Sequence, residues 1–192
     1  MSENIYSMEV TKRNGDREPV YFDKITKRLK NLIIEGIPLR NVDPILVAQK
    51  VIQNLYDGIT TTELDELASR VCANLSSDIP DYGYLGGRLC ISNLQKMTPD
   101  NFSECCDKLM INLDKNGDKC PMLSDEVYKI ICENKELING KIEKSRDFLI
   151  DFFGFKTLEK AYLMKSNMEI VETPQYMWMR VSIGIHGRDL SN

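Results

Sequence analysis

The sequence predicts a mainly helical α+β fold, opened by a β-hairpin and carried on by helices. Three observations support this. Apolar residues recur at helical spacing along most of the chain. The stretch from Tyr6 to Phe22 instead alternates around Arg13-Asn14-Gly15-Asp16, and Asn-Gly favours a hairpin because both turn positions tolerate positive φ. Helix-start signals, Asp43-Pro44 and Thr60 with Glu63 among them, stand directly before the apolar-periodic runs.

In order, Met8 and Val10 and then Val20 and Phe22 are the apolar alternations on either side of the hairpin turn. Asp23 is placed to cap a first helix with the face Ile25, Leu29, Leu32 and Ile33, stopped at Gly36. Asp43-Pro44 starts a second helix carrying Val47, Val51, Ile52 and Leu55, ended by Gly58. Thr60 and Glu63 form a capping box before a third, with Leu64, Leu67, Ala68, Val71 and Leu75. A fourth starts near Pro80-Asp81, shows Tyr82, Leu85, Leu89 and Leu94, and closes at Pro99. A hairpin and four helices make a complete first unit by layer logic.

Beyond it, Phe102 to Leu113 reads as a short helix, Asn116-Gly117 as a turn, and Ser124 as the cap of a run with Val127, Ile130 and Ile131. Ser145 caps a short helix with Phe148, Leu149, Phe152 and Phe153, stopped by Gly154, and Lys156 to Leu163 gives another. Tyr176 to His186 is apolar and strand-like, and Asp189 reads as the N-cap of an element that has barely begun. Trp178, Val181, Ile183 and Ile185 need a cover, so an incomplete second domain is expected.

Composition narrows the function. The chain has 192 residues, 42% hydrophobic and 28% charged, with a net charge of −4. That is the composition of a globular protein and lacks the basic excess of broad nucleic-acid binders. No apolar run is long enough for a membrane span and no leader precedes the fold, so a cytoplasmic protein without membrane contact is expected. Six cysteines without a Cys-x-x-Cys pair read as reduced thiols, and His186 as the single histidine argues against a metal site. Walker, Gly-x-Gly-x-x-Gly and His-Glu-x-x-His signatures are absent.

Lys12 and Arg13 stand at the hairpin turn, Glu18 on its return strand, Asp23 at the first helix start, Asp65 early in the third helix and Lys96 late in the fourth. Cations pair with phosphate oxygens and carboxylates accept from sugar hydroxyls or base amino groups, so such a set is able to form a nucleoside triphosphate pocket. By spacing alone the same cations read as solvated surface, and Asp23 and Asp65 as helix-start residues favoured by the macrodipole. Lys24, Lys27, Arg28 and Lys30 read as the solvated face of the first helix.

Longer runs add what spacing does not. Val10-Thr-Lys-Arg-Asn-Gly15, Glu18-Pro-Val-Tyr-Phe-Asp-Lys-Ile25, Val51 through Asp65, Pro80-Asp-Tyr82 and Ser92-Asn-Leu-Gln-Lys96 closely resemble the ATP-cone, the allosteric nucleotide-sensing module of ribonucleotide reductase large subunits. Ser145-Arg-Asp-Phe148, Phe153 through Tyr162 and Glu172 through His186 resemble the segment leading into the catalytic barrel of the class I enzyme, in its eukaryotic and viral style.

The resemblance implies an ATP-cone over residues 1–98, followed over 99–192 by a helical lead-in to an incomplete α/β barrel. It implies phosphate contacts for Lys12, Arg13 and Lys96, and a nucleoside environment of Glu18, Asp23, Thr61 and Asp65, with the Asp65 position telling ATP from dATP. It further implies ATP or dATP as effector, no metal here, self-association of large subunits, and a small radical-generating subunit as partner. The family's radical and redox cysteines have no counterpart among the six here, so this region alone should not reduce ribonucleotides.

Two departures from the family pattern stand out. Pro19 should remove one strand contact, and Gly86-Gly87 should weaken the fourth helix by about 1 kcal/mol per glycine relative to alanine. The rival reading is a stand-alone regulatory protein that keeps the sensor and associates with a full reductase.

Overall fold

In the computed structural model, which describes residues 8–187, the Asn-Gly signal closes a hairpin as predicted. Strand β1 (Glu9–Thr11) runs antiparallel to β2 (Arg17–Pro19), with Val10 opposite Glu18. Gly15 takes φ +88° at the turn, a region glycine enters without steric cost. A third strand, β3 (Ile59–Thr60), lies parallel to β1 with Ile59 opposite Val10, giving the order β2-β1-β3. Two residues are too few to show periodicity, so this strand is silent in the sequence. Gly58, at φ +79°, turns the chain into β3 and does not end the second helix.

Pro19 removes no ladder bond. The amide of Val20 donates to Met8 O at 2.8 Å and that of Lys12 to Asp16 O at 2.8 Å, so bonded pairs alternate through Val10 and Glu18. Pro19 falls opposite Glu9 in a non-bonded pair, its nitrogen facing away from β1 on an edge strand.

Helix α1 (Phe22–Ile34) begins before the expected cap: Tyr21 is the N-cap residue, and Asp23 lies in the first turn, where a negative charge still suits the dipole. Helix α2 (Pro44–Ile52) starts as expected, with Asp43 accepting from the Ile45 amide at 2.8 Å. In α3 (Thr61–Leu75) both arms of the capping box form, Glu63 N to Thr60 Oγ1 at 3.1 Å and Thr60 N to Glu63 Oε2 at 2.9 Å.

Helix α4 (Asp81–Gln95) buries Tyr82, Leu85, Arg88, Leu89, Ile91 and Leu94, more of its circumference than one stripe would allow. The Arg88 guanidinium, 2% exposed, donates to the carbonyls of Leu32, Ile33 and Ile37 and closes the end of α1. Burial lowers its pKa from the ordinary value. The expected weakness at Gly87 is replaced by a packing requirement, because a Cβ there would lie 2.3 Å from Ile150 O.

The described chain divides into two compact units. One runs through Asn93 and takes in Phe148–Gly154, and the other comprises Leu94–Asp147 with the chain from Phe155 on. The second is built on α5 (Phe102–Met110), α6 (Asp125–Glu133), α7 (Lys135–Lys141), the start of a 3₁₀ turn (Lys144–Leu149), α8 (Phe152–Ala161) from Phe155 on, and α9 (Pro174–His186). Its core gathers Phe102, Cys105, Cys106, Leu109, Ile131, Ile138, Tyr176 and Ile183. Phe102 and Tyr176 meet edge to face at 5.9 Å.

Three expectations fail in this part. Gly154 does not stop a helix: α8 runs through it, because Asp151 accepts from its amide at 2.8 Å as a capping side chain would. The boundary between the two expected helices falls earlier, at Ile150 and Asp151: Phe148 and Leu149 lie in the 3₁₀ turn, while Phe152 and Phe153 open α8. Tyr176 to His186 is helical, since Thr173 accepts from the Tyr176 amide at 3.4 Å and Pro174 holds the first helical position, a start signal that the apolar density concealed. Ile183 is buried on this helix, while Trp178, Val181 and Ile185 stay exposed.

A hairpin of β4 (Lys165–Ser166) and β5 (Glu169–Ile170) precedes α9, turning on Asn167 and Met168 at positive φ. These are the only strands beyond residue 100 among the described residues, so no α/β barrel is confirmed in them. Tyr6 and Asp189 lie outside the described residues.

Candidate functional site

The hairpin brings Lys12 and Glu18 together across its strands, Nζ to Oε2 at 2.9 Å. The first turn of α1 adds Lys24, whose Nζ reaches the same oxygen at 3.0 Å. Hydrogen bonds from Lys12 and then Lys24 hold the Glu18 carboxyl below its usual range, and Glu18 in turn raises Lys12. Lys24 also lies 4.9 Å from the centre of the Tyr21 ring.

Beside them, the Arg13 guanidinium donates to the side-chain oxygen of Asn93, a buried residue of α4. Asp65, 5% exposed on α3, is held by both arms of Arg28 from α1, Nε to Oδ1 and Nη2 to Oδ2 at 2.7 Å each. Arg28 Nη2 also stands 3.4 Å from Ser92 Oγ on α4.

The other expected residues are placed more loosely. Thr61 opens α3, half-buried and one turn before Asp65, hence on the same face. Asp23 is exposed in the first turn of α1. Lys96 is exposed one residue beyond α4 and belongs to the second compact unit. A cleft of about 470 Å³ between α6 and the end of α9 is lined by none of these residues.

Such a set binds more readily than it reacts. Guanidinium and ammonium groups offer charge-assisted donors to an anion, and carboxylates accept from hydroxyl or amino groups. Burial pushes the thiols of Cys72 and Cys105 up, and that of Cys106 to about 12, so none of these three supplies a thiolate. Among the described residues no group of three or more His, Cys, Asp or Glu side chains is placed to hold a metal, and no helix is long and apolar enough to cross a membrane.

Residues 8–97 match the ATP cone domain, a stretch that spans the hairpin, α1 to α4 and every candidate residue. Residues 148–192 match the ribonucleotide reductase all-alpha domain. The chain is 46% identical over 187 residues to ribonucleoside-diphosphate reductase large chain 2 of Saccharomyces cerevisiae, covering 96% of this chain and 21% of that protein. The chain is a homologue of the N-terminal region of ribonucleoside-diphosphate reductase large subunits.

Plant and viral reductase large subunits match as well. Identity is 45% over 186 residues with the Arabidopsis thaliana large subunit (96% of this chain, 23% of that protein) and 46% over 186 residues with that of Monkeypox virus (96% and 24%). The chain thus spans less than a quarter of these reductase subunits' length. The ATP cone match implies that a nucleotide effector binds.

Arg28, Asn93 and Lys24 complete the arrangement in this reductase homologue, and the sequence reading left them out of the site. The spacing of charges places Arg28 on the solvated face of the first helix, whereas it points to Asp65. A signal existed: Arg28 follows Ile25 by three positions and precedes Leu32 by four, so it lies along the buried stripe, while Lys27 and Lys30 stay exposed. Asn93 had no such signal beyond its place in a helix buried on most sides.

Proposed function

We propose that this chain is the allosteric nucleotide-sensing region of a ribonucleoside-diphosphate reductase large subunit. Residues 1–98 form the ATP-cone domain, and 99–192 the helical N-terminal part of the catalytic domain that leads into the barrel. Lys12, Arg13 and Lys96 meet the effector's phosphates, and Glu18, Asp23, Thr61 and Asp65 its nucleoside, with ATP activating and dATP inhibiting. The whole enzyme, working in the cytoplasm, converts ribonucleoside diphosphates to deoxyribonucleoside diphosphates through self-associated large subunits and a radical-generating small subunit. The effector acts by binding one assembly better than another, since only differential affinity shifts an equilibrium.

The observation that carries this reading is the juxtaposition, inside the stretch matching the ATP cone domain, of the hairpin cation Arg13 with the α3 carboxylate Asp65 through the helices that bear Arg28, Ser92 and Asn93. Calorimetric titration of the full chain with ATP and with dATP tests it. Saturable binding is expected for both, weakened for both by Lys12→Ala and altered in preference by Asp65→Asn. Absence of saturable heat with either nucleotide, or identical binding in both variants, overturns the reading.

A further inference from the structure

We propose that Arg28 is the positioning residue that sets how Asp65 discriminates a sugar bearing a 2′-hydroxyl from one lacking it. The inference rests on the proposed contact between Asp65 and the nucleoside, and it assigns the selectivity of that contact to a residue of α1.

The geometry is specific. A carboxylate offers about four lone-pair directions on two oxygens. Arg28 uses one on each oxygen, at 2.7 Å on both sides, and fixes the plane of the carboxylate. What remains is one accepting direction per oxygen, aimed away from the guanidinium. A hydroxyl presented along that direction finds a fixed acceptor, and a deoxy sugar leaves that position without a hydrogen bond from the sugar. A planar fork does this where an ammonium does not, because a single point charge leaves the carboxylate free to rotate.

The neighbours reinforce the constraint. Asp65 is only 5% exposed, so its side chain has little room to re-orient. Ser92 Oγ lies 3.4 Å from Arg28 Nη2, which ties the guanidinium to the turn of α4 that also carries Asn93, the partner of Arg13. The fork therefore joins α1, α3 and α4 at one point, next to the residue that anchors the hairpin cation.

The test measures dissociation constants of the full chain for ATP, dATP and inorganic triphosphate in the wild type, Arg28→Lys, Asp65→Asn and the double variant. Arg28→Lys is expected to move the ATP-to-dATP affinity ratio at least fivefold toward that of Asp65→Asn, with triphosphate affinity held within twofold. The double variant is expected to show the same ratio as Asp65→Asn alone, because Arg28 acts through Asp65. A wild-type ratio in Arg28→Lys, or an equal shift for both nucleotides, overturns the role of Arg28 and leaves the nucleotide site standing. No binding to the wild type, or no change of ratio in Asp65→Asn, is instead a failure of the underlying site assignment and removes this proposal with it. Should Arg28→Lys lose its cooperative thermal transition, Arg28→Gln, which keeps a planar donor, replaces it. Loss of folding in both assigns Arg28 to stability alone and overturns the proposal.

Discussion

Gly87 and Ile150 touch so closely that a β-carbon at position 87 would sit 2.3 Å from the Ile150 carbonyl oxygen and 2.7 Å from the carbonyl carbon of Asp151. Backbone atoms cannot swing aside as a side-chain tip can. Gly87→Ala should therefore destabilise the chain by about 1–3 kcal/mol or more through overpacking, outweighing the gain of about 1 kcal/mol in helix propensity. Gly184, inside α9 with nothing within 4 Å of its hypothetical Cβ, is the control, and Gly184→Ala should stabilise by about 0.5–1 kcal/mol. Urea denaturation of both variants checks the opposite signs.

Asp147, 1% exposed, accepts from the Gln175 amide at 2.8 Å and from Gln95 Nε2 at 3.0 Å. Burial pushes its carboxyl up from 3.8 to about 6, against the opposing pull of Gln95, Gln175, Thr173 and the charge of Lys144. The folded state thus holds this proton at pH values where the unfolded chain has released it. Stability from this group is full below pH 4 and is lost as pH rises through about 6, by an amount on the order of 3 kcal/mol. In Asp147→Asn this pH dependence should vanish. The difference in unfolding free energy between variant and wild type, followed from pH 4.5 to 7.5, should change with pH in favour of the variant, and a constant difference would contradict the assignment.

Glu172 is fully buried and bound by Arg180 Nη2 at 3.1 Å, by Arg180 Nε, and by the Met164 amide at 2.9 Å. Removing the cation leaves a carboxylate without its charge partner inside the second unit. Arg180→Met is expected to lose about 3–5 kcal/mol of stability, the usual consequence of stranding a buried charge. The double variant Arg180→Met with Glu172→Leu should recover part of that loss. A thermal transition unchanged in the single variant would show that the pair contributes nothing.

The capping box of α3 gives a smaller and cleaner effect. Thr60→Ala removes the acceptor for the Glu63 amide and the hydroxyl donor to Glu63 Oε2 at 2.7 Å. A loss of about 0.5–2 kcal/mol is expected. Thr60→Ser should restore most of it, as read by chemical denaturation.

Much of the first unit was legible because its signals are local. Asn14-Gly15, Asp43-Pro44 and the Thr60–Glu63 box each act within one turn of backbone, and each formed as predicted. Later in the chain the local signals competed: Gly154 resembled a stop but lies within a capped helix, and the apolar density of residues 176–186 masked the Thr173-Pro174 start. In the candidate site, Lys12, Arg13, Glu18 and Asp65 were recognised as residue types, while their partners Lys24, Asn93 and Arg28 were not.

The sequence by itself determined the hairpin and the four helices of the first hundred residues, the caps at Asp43 and Thr60, and the kinship with reductase large subunits, because these depend on neighbours a few positions apart or on runs of residues read in series. Only the tertiary structure decided that Arg28 grips Asp65 across 37 positions and that Arg13 reaches Asn93 across 80. It also decided that Gly87 is required by a close approach and that Pro19 faces outward from an edge strand. Each of these depends on which helix or strand comes to lie beside which, and that is set by burying apolar faces against one another. The partner of a polar group on such a face is whatever the packed neighbour presents.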